Sequence, residues 1–226
     1  MTIQNNIKTL LSRIRNLELS SHRIPGSVEL LAVSKGQTIE RITQAFEAGL
    51  CDFGENYLQE ALGKIHALNA LPIRWHFIGA IQSNKTHAIS HHFDWVHSVC
   101  RKKIAQRLND ERPNTLCALN VCIQVNIDDS NEKAGIAPHL VSDLAMEIIK
   151  LPRLNLRGLM VITKLVTDEE QYQLFLNVSS LLDQLNTDLN LKLDTLSMGM
   201  TQDLHTAIRA GSTIVRIGRG IFGERK

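Results

Sequence analysis

Short apolar runs that alternate with helical patterns are the feature of this sequence that most restricts its fold. Between them lie helical segments such as 39–48 and 203–210. Strands that are buried on both faces and joined by helices form parallel sheets. The runs are eight in number, and they cover residues 30–34, 52–54, 75–79, 95–99, 121–126, 156–162, 195–198 and 214–218. Eight such units predict an α/β fold, a single closed (β/α)8 TIM-type barrel. The alternative is an open doubly wound sheet, but its GxGxxG loop is absent from the sequence.

The chain is expected to form one domain. Its 226 residues are 43% hydrophobic and 21% charged, with no linker and no low-complexity segment. We therefore assign residues 1–226 to a single domain with the barrel in 30–224 and an additional N-terminal helix in 1–24. One amphipathic stripe predicts that helix, formed by Ile3, Ile7, Leu10, Leu11, Ile14 and Leu17.

Charge and composition exclude several classes of partner. Twenty-five basic against 23 acidic residues give a net charge of +2, and aromatic residues make up 4% of the chain. Neither a basic field nor a stacking platform for nucleic acid is indicated. No apolar run is long enough for a signal peptide or a membrane span. The four cysteines form no CxxC pair, so we expect a cytoplasmic protein that keeps them as thiols. We also expect the protein to be a monomer.

Local signals place several helix ends. Thr167 and Glu170 have the spacing of a capping box and predict the start of a helix. Gly49 and Gly211 stand where two helices are expected to stop. Thr201 is predicted to cap the helix that follows the seventh run, with Asp203 in its first turn.

A lysine ends the first predicted strand. Active sites of such barrels form at the carboxyl ends of the strands, so the amine of Lys35 is expected to face the pocket. Desolvation or a neighbouring cation would lower the pKa of such an amine and allow a Schiff base to form. The alternative is a solvated lysine at a strand end. Lys164 ends the sixth strand and is the alternative Schiff-base lysine.

The loops after strands seven and eight predict a phosphate site. In these barrels the same two loops commonly cradle phosphate, since glycines let backbone N–H groups approach the oxygens. Gly218, Arg219 and Gly220 supply such a loop, although two tight barrel turns would need glycine as well. Arg216 lies two residues earlier, so its side chain shares a face with Gly218. It is expected either to reach the ring of a phosphorylated cofactor or to form a salt bridge in the barrel mouth.

Several motifs together resemble one known family, the pyridoxal 5′-phosphate (PLP) homeostasis proteins, which are related to the N-terminal barrel of alanine racemase. The resemblance extends from about residue 30 to 224. The matching segments are Ala32-Val33-Ser34-Lys35, Gly54-Glu55-Asn56-Tyr57-Leu58-Gln59-Glu60, Trp75-His76-Phe77-Ile78-Gly79, Gln82-Ser83-Asn84-Lys85, Leu196-Ser197-Met198-Gly199-Met200-Thr201, Val215-Arg216-Ile217-Gly218 and Ile221-Phe222-Gly223.

The resemblance implies a cofactor and a role. PLP would be held as an internal aldimine on Lys35, with Arg216 facing the pyridine nitrogen and Asn56 lining the pocket. The phosphate would contact Ser197, Gly218 and Arg219, with the helix N-terminus near Thr201 beside it. The family is regarded as lacking robust catalysis and as buffering PLP or delivering it, so PLP-dependent apo-enzymes are the expected partners.

The sequence departs from the family pattern in three places. Residues Gly36-Gln37-Thr38 replace a Thr-Lys-Pro-like run, so a second lysine is absent there. Arg219 stands where Thr or Ser is usual, which removes a hydroxyl but keeps the backbone N–H. Thr201 replaces a serine.

Two enzymatic alternatives remain open from the sequence. An amino-acid racemase needs a second acid–base group, and the only tyrosines are Tyr57 and Tyr172. A Schiff-base aldolase would use Lys164 and the same phosphate loops. We assign no catalytic residue and no metal, since a solvated helix end accounts for the histidine set of His87, His91, His92 and His97.

Overall fold

The structure is a computed structural model that describes residues 2–128, 134–164 and 166–224. The ends of the predicted single domain, Met1 and residues 225–226, and the barrel segments 129–133 and 165 therefore lie outside the described residues. Eight parallel strands form a closed barrel in chain order, with β1 paired to β8, which confirms the predicted fold class. The strands are β1 Glu29–Val33, β2 Asp52–Glu55, β3 Arg74–Phe77, β4 Trp95–Val99, β5 Leu119–Val125, β6 Leu154–Val161, β7 Thr195–Ser197 and β8 Ile214–Ile217.

Helices surround the barrel, and short 3₁₀ turns cover Ser83–Lys85 and Pro138–Leu140. None of the helices in the described ranges is long and apolar enough to cross a membrane. The helices are α1 Ile3–Ser20, α2 Ile39–Glu47, α3 Leu58–Ala67, α4 Thr86–His92, α5 Lys102–Glu111, α6 Val141–Ile148, α7 Asp168–Asp188, α8 Leu204–Arg209 and α9 Arg219–Phe222.

The additional N-terminal helix lies over the junction of the first and last strands. Its apolar stripe is buried against the core, and α1 contacts α2, α8 and α9. It ends at Ser20, earlier than the predicted segment 1–24, because the chain turns at His22 with φ of 55°. Buried Glu18 fixes the following loop by accepting hydrogen bonds from Gly26 N at 2.9 Å and Val28 N at 2.6 Å.

Two of the predicted local signals are confirmed and one is wrong. Thr167 and Glu170 form the capping box of α7, and Gly49 and Gly211 follow the ends of α2 and α8 with φ near +100° (97° and 103°). Helix α8, however, begins at Leu204 with Asp203 at its N-cap, so Thr201 does not cap it. The Asp203 carboxylate accepts a hydrogen bond from Met200 N, and the intervening residues form a turn.

The barrel interior holds a small apolar cluster and a set of polar groups. The main core lies between the strands and the helices. Residues that point into the barrel form a separate cluster of Leu31, Ile78, Trp95, Cys122, Met160 and Ile214. Four of the buried polar side chains in this interior form one hydrogen-bonded series, namely His76, His97, Ser197 and Arg216. Barrel interiors of this type are packed cores filled mainly by branched aliphatic residues, so the polar set requires a separate explanation.

Candidate functional site

A cavity of about 560 Å³ opens at the carboxyl ends of the strands. Its size is in the range of small-molecule sites, roughly 300–1,000 Å³. Most of the residues predicted to bind a cofactor line it, and they come from the ends of β1, β2 and β8 and from the loop after β7. These residues are Lys35, Asn56, Thr201, Arg216, Gly218 and Arg219.

The predicted Schiff-base lysine reaches this cavity. Lys35 follows Val33, the last residue of β1, and is half-buried. The chain turns directly after it at Gly36, whose φ of 72° is one that other residues rarely adopt. The position of Lys35 is therefore set by the end of a buried strand and by a tight turn.

A buried ionic cluster supports the loop that carries Lys35. Lys64 of α3 donates to the Ser34 carbonyl at 2.7 Å, to Glu55 Oε1 at 2.7 Å and to Glu60 Oε1 at 2.6 Å. Glu60 also accepts from Gly36 N, and Ser34 Oγ donates to Glu55 Oε1 at 2.6 Å. Burial raises the pKa of Glu55, against hydrogen bonds from Lys64 and Ser34 that lower it.

Sequence reasoning missed the role of Lys64. The signal was present, since a lysine occupies the buried stripe of α3 together with Leu58 and Ala61. A lysine in such a stripe needs a partner because a buried, unpaired charge is costly.

Asn56 presents a polar atom that has no partner within the described chain. Its Oδ1 is buried and accepts no hydrogen bond from the described residues. Such an orphaned acceptor fits a site that a polar ligand completes. Gly79 packs against the Asn56 backbone, where an added Cβ would lie 2.0 Å from the Asn56 carbonyl oxygen. Only glycine therefore permits this position of Asn56.

Arg216 forms part of the cavity floor and is 5% exposed. Its Nη1 donates to the Ser197 carbonyl and to Ser197 Oγ at 2.9 Å, and its Nη2 donates to the Val161 carbonyl at 2.8 Å. These partners are neutral, so the alternative of a salt bridge in the barrel mouth is wrong for the described residues. Burial lowers the pKa of Arg216 to about 10, which leaves the guanidinium charged at neutral pH.

Ser197 lies elsewhere than predicted. Its side chain is fully buried, is absent from the cavity lining and bonds Arg216 and His97. The prediction that Ser197 contacts a phosphate is therefore corrected, because its hydroxyl lies below the cavity and is hydrogen-bonded to Arg216 and His97. Its position instead fits a role in holding Arg216.

The predicted phosphate loop forms the start of a short helix. Gly218 is the N-cap of α9, and the first residues of a helix have backbone N–H groups without an intrahelical acceptor. Thr201 lies close by, since a Cβ on Gly220 would be 3.7 Å from its side chain. The Arg219 side chain is exposed at the rim. Gly218, Arg219 and Thr201 thus lie together, although Thr201 lies in a turn rather than at a helix N-terminus.

The groups needed by the enzymatic alternatives lie elsewhere. Lys164 is exposed and does not line the cavity. Tyr57 is 64% exposed, and Tyr172 packs under the guanidinium of Arg209 at 3.9 Å. The described residues thus place no tyrosine in the cavity.

The predicted histidine set divides into two groups. His87 and His91 stack on α4 with ring centroids 4.1 Å apart. Within the described ranges no group of histidine, cysteine or acidic residues is arranged to hold a metal ion. His97 was wrongly grouped with them as part of a solvated helix end, because it lies on β4 and is fully buried inside the barrel.

Comparisons with known proteins agree with this geometry. The family model "Alanine racemase, N-terminal domain" matches residues 10–226. The pyridoxal phosphate homeostasis protein of Pseudomonas aeruginosa is 52% identical over 225 residues, which cover 99% of this chain and 96% of that protein. The protein of the same name from Escherichia coli K12 is 43% identical over 229 residues, which cover 99% of this chain and 97% of that protein.

Solved structures show the same fold. PipY of Synechococcus elongatus PCC7942, whose structure has PLP bound, superposes with a TM-score of 0.87 at 34% identity, covering 98% of this chain and 100% of PipY. Alanine racemase of Clostridium difficile 630 has a TM-score of 0.78 at 14% identity, and the match covers 97% of this chain and 57% of the racemase. The latter likeness concerns the fold alone.

Proposed function

Because this chain belongs to the pyridoxal phosphate homeostasis proteins of the alanine racemase N-terminal domain family, we propose that it binds PLP covalently through Lys35 and buffers or carries it. In this proposal the protein contributes to intracellular PLP homeostasis without robust catalysis. It acts in the cytoplasm as a monomer, and PLP-dependent apo-enzymes receive the cofactor from it.

One observation supports this proposal above the others. A single cavity brings together an amine, an amide oxygen without a partner among the described residues, a buried guanidinium and the start of a helix. The residues that supply these groups are, in the same order, Lys35, Asn56, Arg216 and Gly218. These groups suit an aldehyde, a ring hydroxyl, a ring nitrogen and a phosphate. When bound, PLP supplies an electrophilic aldehyde carbon with which an amine condenses reversibly.

Each residue then has a separate task. Lys35 provides the amine, and the Lys64 cluster holds its loop. Asn56 offers Oδ1 as an acceptor. Gly218 and Arg219 offer backbone N–H groups to the phosphate, with the Thr201 hydroxyl beside them, and such donors favour an anion.

Arg216 directs the site toward carrying rather than catalysis. A charged guanidinium close to the ring nitrogen disfavours protonation of that nitrogen, because like charges repel. An unprotonated ring is a weaker electron sink, and carbanion chemistry is slow on it. Two-base racemisation also requires a second acid–base group, and the described tyrosines lie outside the cavity.

Reduction of the purified protein with borohydride, followed by peptide mass mapping, tests the proposal. We expect a visible absorbance before reduction and one modified peptide that contains Lys35. Lys35→Ala should lose both signals and keep the fold, as judged by circular dichroism. Lys164→Ala is the matched control, since Lys164 is an exposed strand-end lysine outside the cavity. A colourless protein, or an adduct that maps to Lys164, would overturn the assignment.

A further inference from the structure

A continuous chain of hydrogen bonds runs through the barrel interior, from Arg216 at the cavity floor to Asp52 at the opposite end of the barrel. Arg216 Nη1 donates to Ser197 Oγ, and Ser197 Oγ lies 2.8 Å from His97 Nδ1. His97 Nε2 lies 2.9 Å from His76 Nδ1, and His76 Nε2 lies 3.0 Å from Asp52 Oδ1. The four members other than Asp52 are at most 5% exposed.

With neutral imidazoles, the direction of this chain follows from the groups at its two ends, a donor at Arg216 and an acceptor at Asp52. Arg216 has only donors, so the Ser197 oxygen accepts from it. The Asp52 carboxylate at the other end only accepts, so with both imidazoles neutral the Ser197 hydroxyl donates to His97 Nδ1. The proton of His97 is then on Nε2 and points at His76 Nδ1. The proton of His76 is likewise on Nε2 and points at Asp52. Every bond is satisfied when both imidazoles are neutral and Asp52 is a carboxylate.

The charged groups around the chain agree with these protonation states. Arg74 donates to both Asp52 oxygens at 2.6 Å and thereby favours the carboxylate. The ring of Trp95 stacks on His76, with ring centroids 5.4 Å apart. Burial opposes ionisation of Asp52, yet hydrogen bonds from His76 and Arg74 hold its pKa at about 2. Burial above all, together with the charge of Arg216, lowers the pKa of His97 well below its ordinary value.

We propose that Ser197 and His97 are positioning residues that lock the guanidinium of Arg216 at the cavity floor, with His76 and Asp52 fixing the proton order of the chain. This inference takes the identity of the ligand, PLP, from the proposed function. Packing alone does not explain four polar side chains in the barrel interior, since buried polar groups are costly unless bonded. Three of the five guanidinium N–H donors are engaged by Ser197 and Val161. The remaining donors would be the ones available to a cofactor ring in the cavity that Arg216 lines.

The unligated protein provides the first test. Long-range ¹H–¹⁵N NMR of the imidazole rings should show His97 and His76 as neutral, with the proton on Nε2. The guanidinium protons of Arg216 should exchange slowly, and His97→Leu should make their exchange fast. A proton on His97 Nδ1, or unchanged exchange in His97→Leu, would overturn the proposal.

PLP binding provides the second test, with two substitutions at one position. His97→Leu removes the acceptor for Ser197, whereas His97→Asn restores an acceptor near the place of Nδ1. We expect His97→Leu to weaken PLP binding by about tenfold or more and His97→Asn by no more than about threefold. Met160→Leu, a volume-conserving change in the same interior, is the control and should bind like the wild type.

The absorbance of bound PLP separates positioning from a loss of stability. In the wild type the visible band should stay constant from about pH 6 to 8, because Arg216 keeps the ring nitrogen unprotonated. In His97→Leu the band should change with pH across that range. If His97→Leu lowers only the melting temperature and its band stays constant, His97 is structural and the proposal fails. If the wild type binds no PLP, the proposed function fails, and the NMR measurements still decide whether Arg216 is locked.

Discussion

The ammonium nitrogen of Lys64 lies 2.7 Å from the carbonyl oxygen of Ser34, the residue immediately before Lys35. The same ammonium also bonds Glu55 and Glu60, and Glu60 accepts from the N–H of Gly36 on the other side of Lys35. The loop that carries the candidate Schiff-base lysine is thus fixed on both sides by a second lysine that lies outside the cavity lining.

Lys64→Met should destabilise the protein by about 3–5 kcal/mol at pH 7, because it leaves the buried carboxylate of Glu55 without its cation. Adding Glu55→Leu should recover at least half of this loss, since the uncompensated charge is then gone. Urea denaturation measures both variants. Lys150→Met is the control, because Lys150 forms an exposed, solvent-screened pair with Glu147 and its loss should leave stability close to that of the wild type. Equal stability of Lys64→Met and the wild type would contradict the assigned role.

The PLP-loaded protein should show negligible racemase turnover with L-alanine, because the described tyrosines lie outside the cavity. Chiral chromatography of the alanine after incubation measures this, with the Lys35→Ala variant as the blank. Conversion at about 1 per second or faster, an ordinary enzyme rate, would show that the protein is not simply a carrier.

Arg219→Thr should change PLP affinity by less than about tenfold, or ~1.4 kcal/mol, because the side chain is exposed at the rim. Its backbone N–H, which the substitution keeps, is the expected phosphate donor. Thr201→Val removes the hydroxyl beside this loop and should cost at least as much. Titration of the apo-protein with PLP compares the two. A hundredfold loss in Arg219→Thr alone would instead identify the guanidinium as a phosphate ligand.

Asp52→Asn should cost about 2 kcal/mol of stability at pH 7, in line with a native pKa of about 2 against an ordinary value near 4. Because the native pKa is depressed, this contribution is complete above the unfolded pKa and declines as pH falls toward 2. At pH 3 the difference between the wild type and the variant should be about half as large.

Urea denaturation at several pH values tests the Asp52 prediction. Asp188→Asn, at the exposed end of α7, is the control and should stay within about 0.5 kcal/mol of the wild type. A difference between wild type and Asp52→Asn that does not depend on pH would show that Asp52 acts through its shape rather than its charge.

Local patterns accounted for most of the fold. The eight apolar runs became the eight strands, with ends that shifted by only a few residues, because burial on both faces leaves a strong signal. The capping box at Thr167 is equally local. Helix α8 was placed too early because the side chain of Asp203 accepts from Met200 N and thereby holds a turn before the helix.

Site residues could be predicted where the end of a strand alone places a residue at the cavity. Lys35 and Gly218 line the cavity because every strand of a parallel barrel ends at the same face. The position of Ser197 depends on contacts with His97 and Arg216, which lie 100 and 19 residues away in the chain. No periodicity encodes such contacts. Lys64 differs, because its place in the buried stripe of α3 could be read from the sequence. Its partners Ser34, just after β1, and Glu55 on β2 could not.

Gly79 does not line the cavity, yet the position of the cavity residue Asn56 depends on it. The chain at this position approaches Asn56 so closely that even a methyl group would meet the Asn56 carbonyl oxygen at 2.0 Å. In a saturation mutagenesis experiment scored by cofactor retention, position 79 would therefore tolerate as little change as Lys35. A map of intolerant positions would mark Gly79 as though it were a ligand, although its contribution is the empty space that lets Asn56 occupy its place.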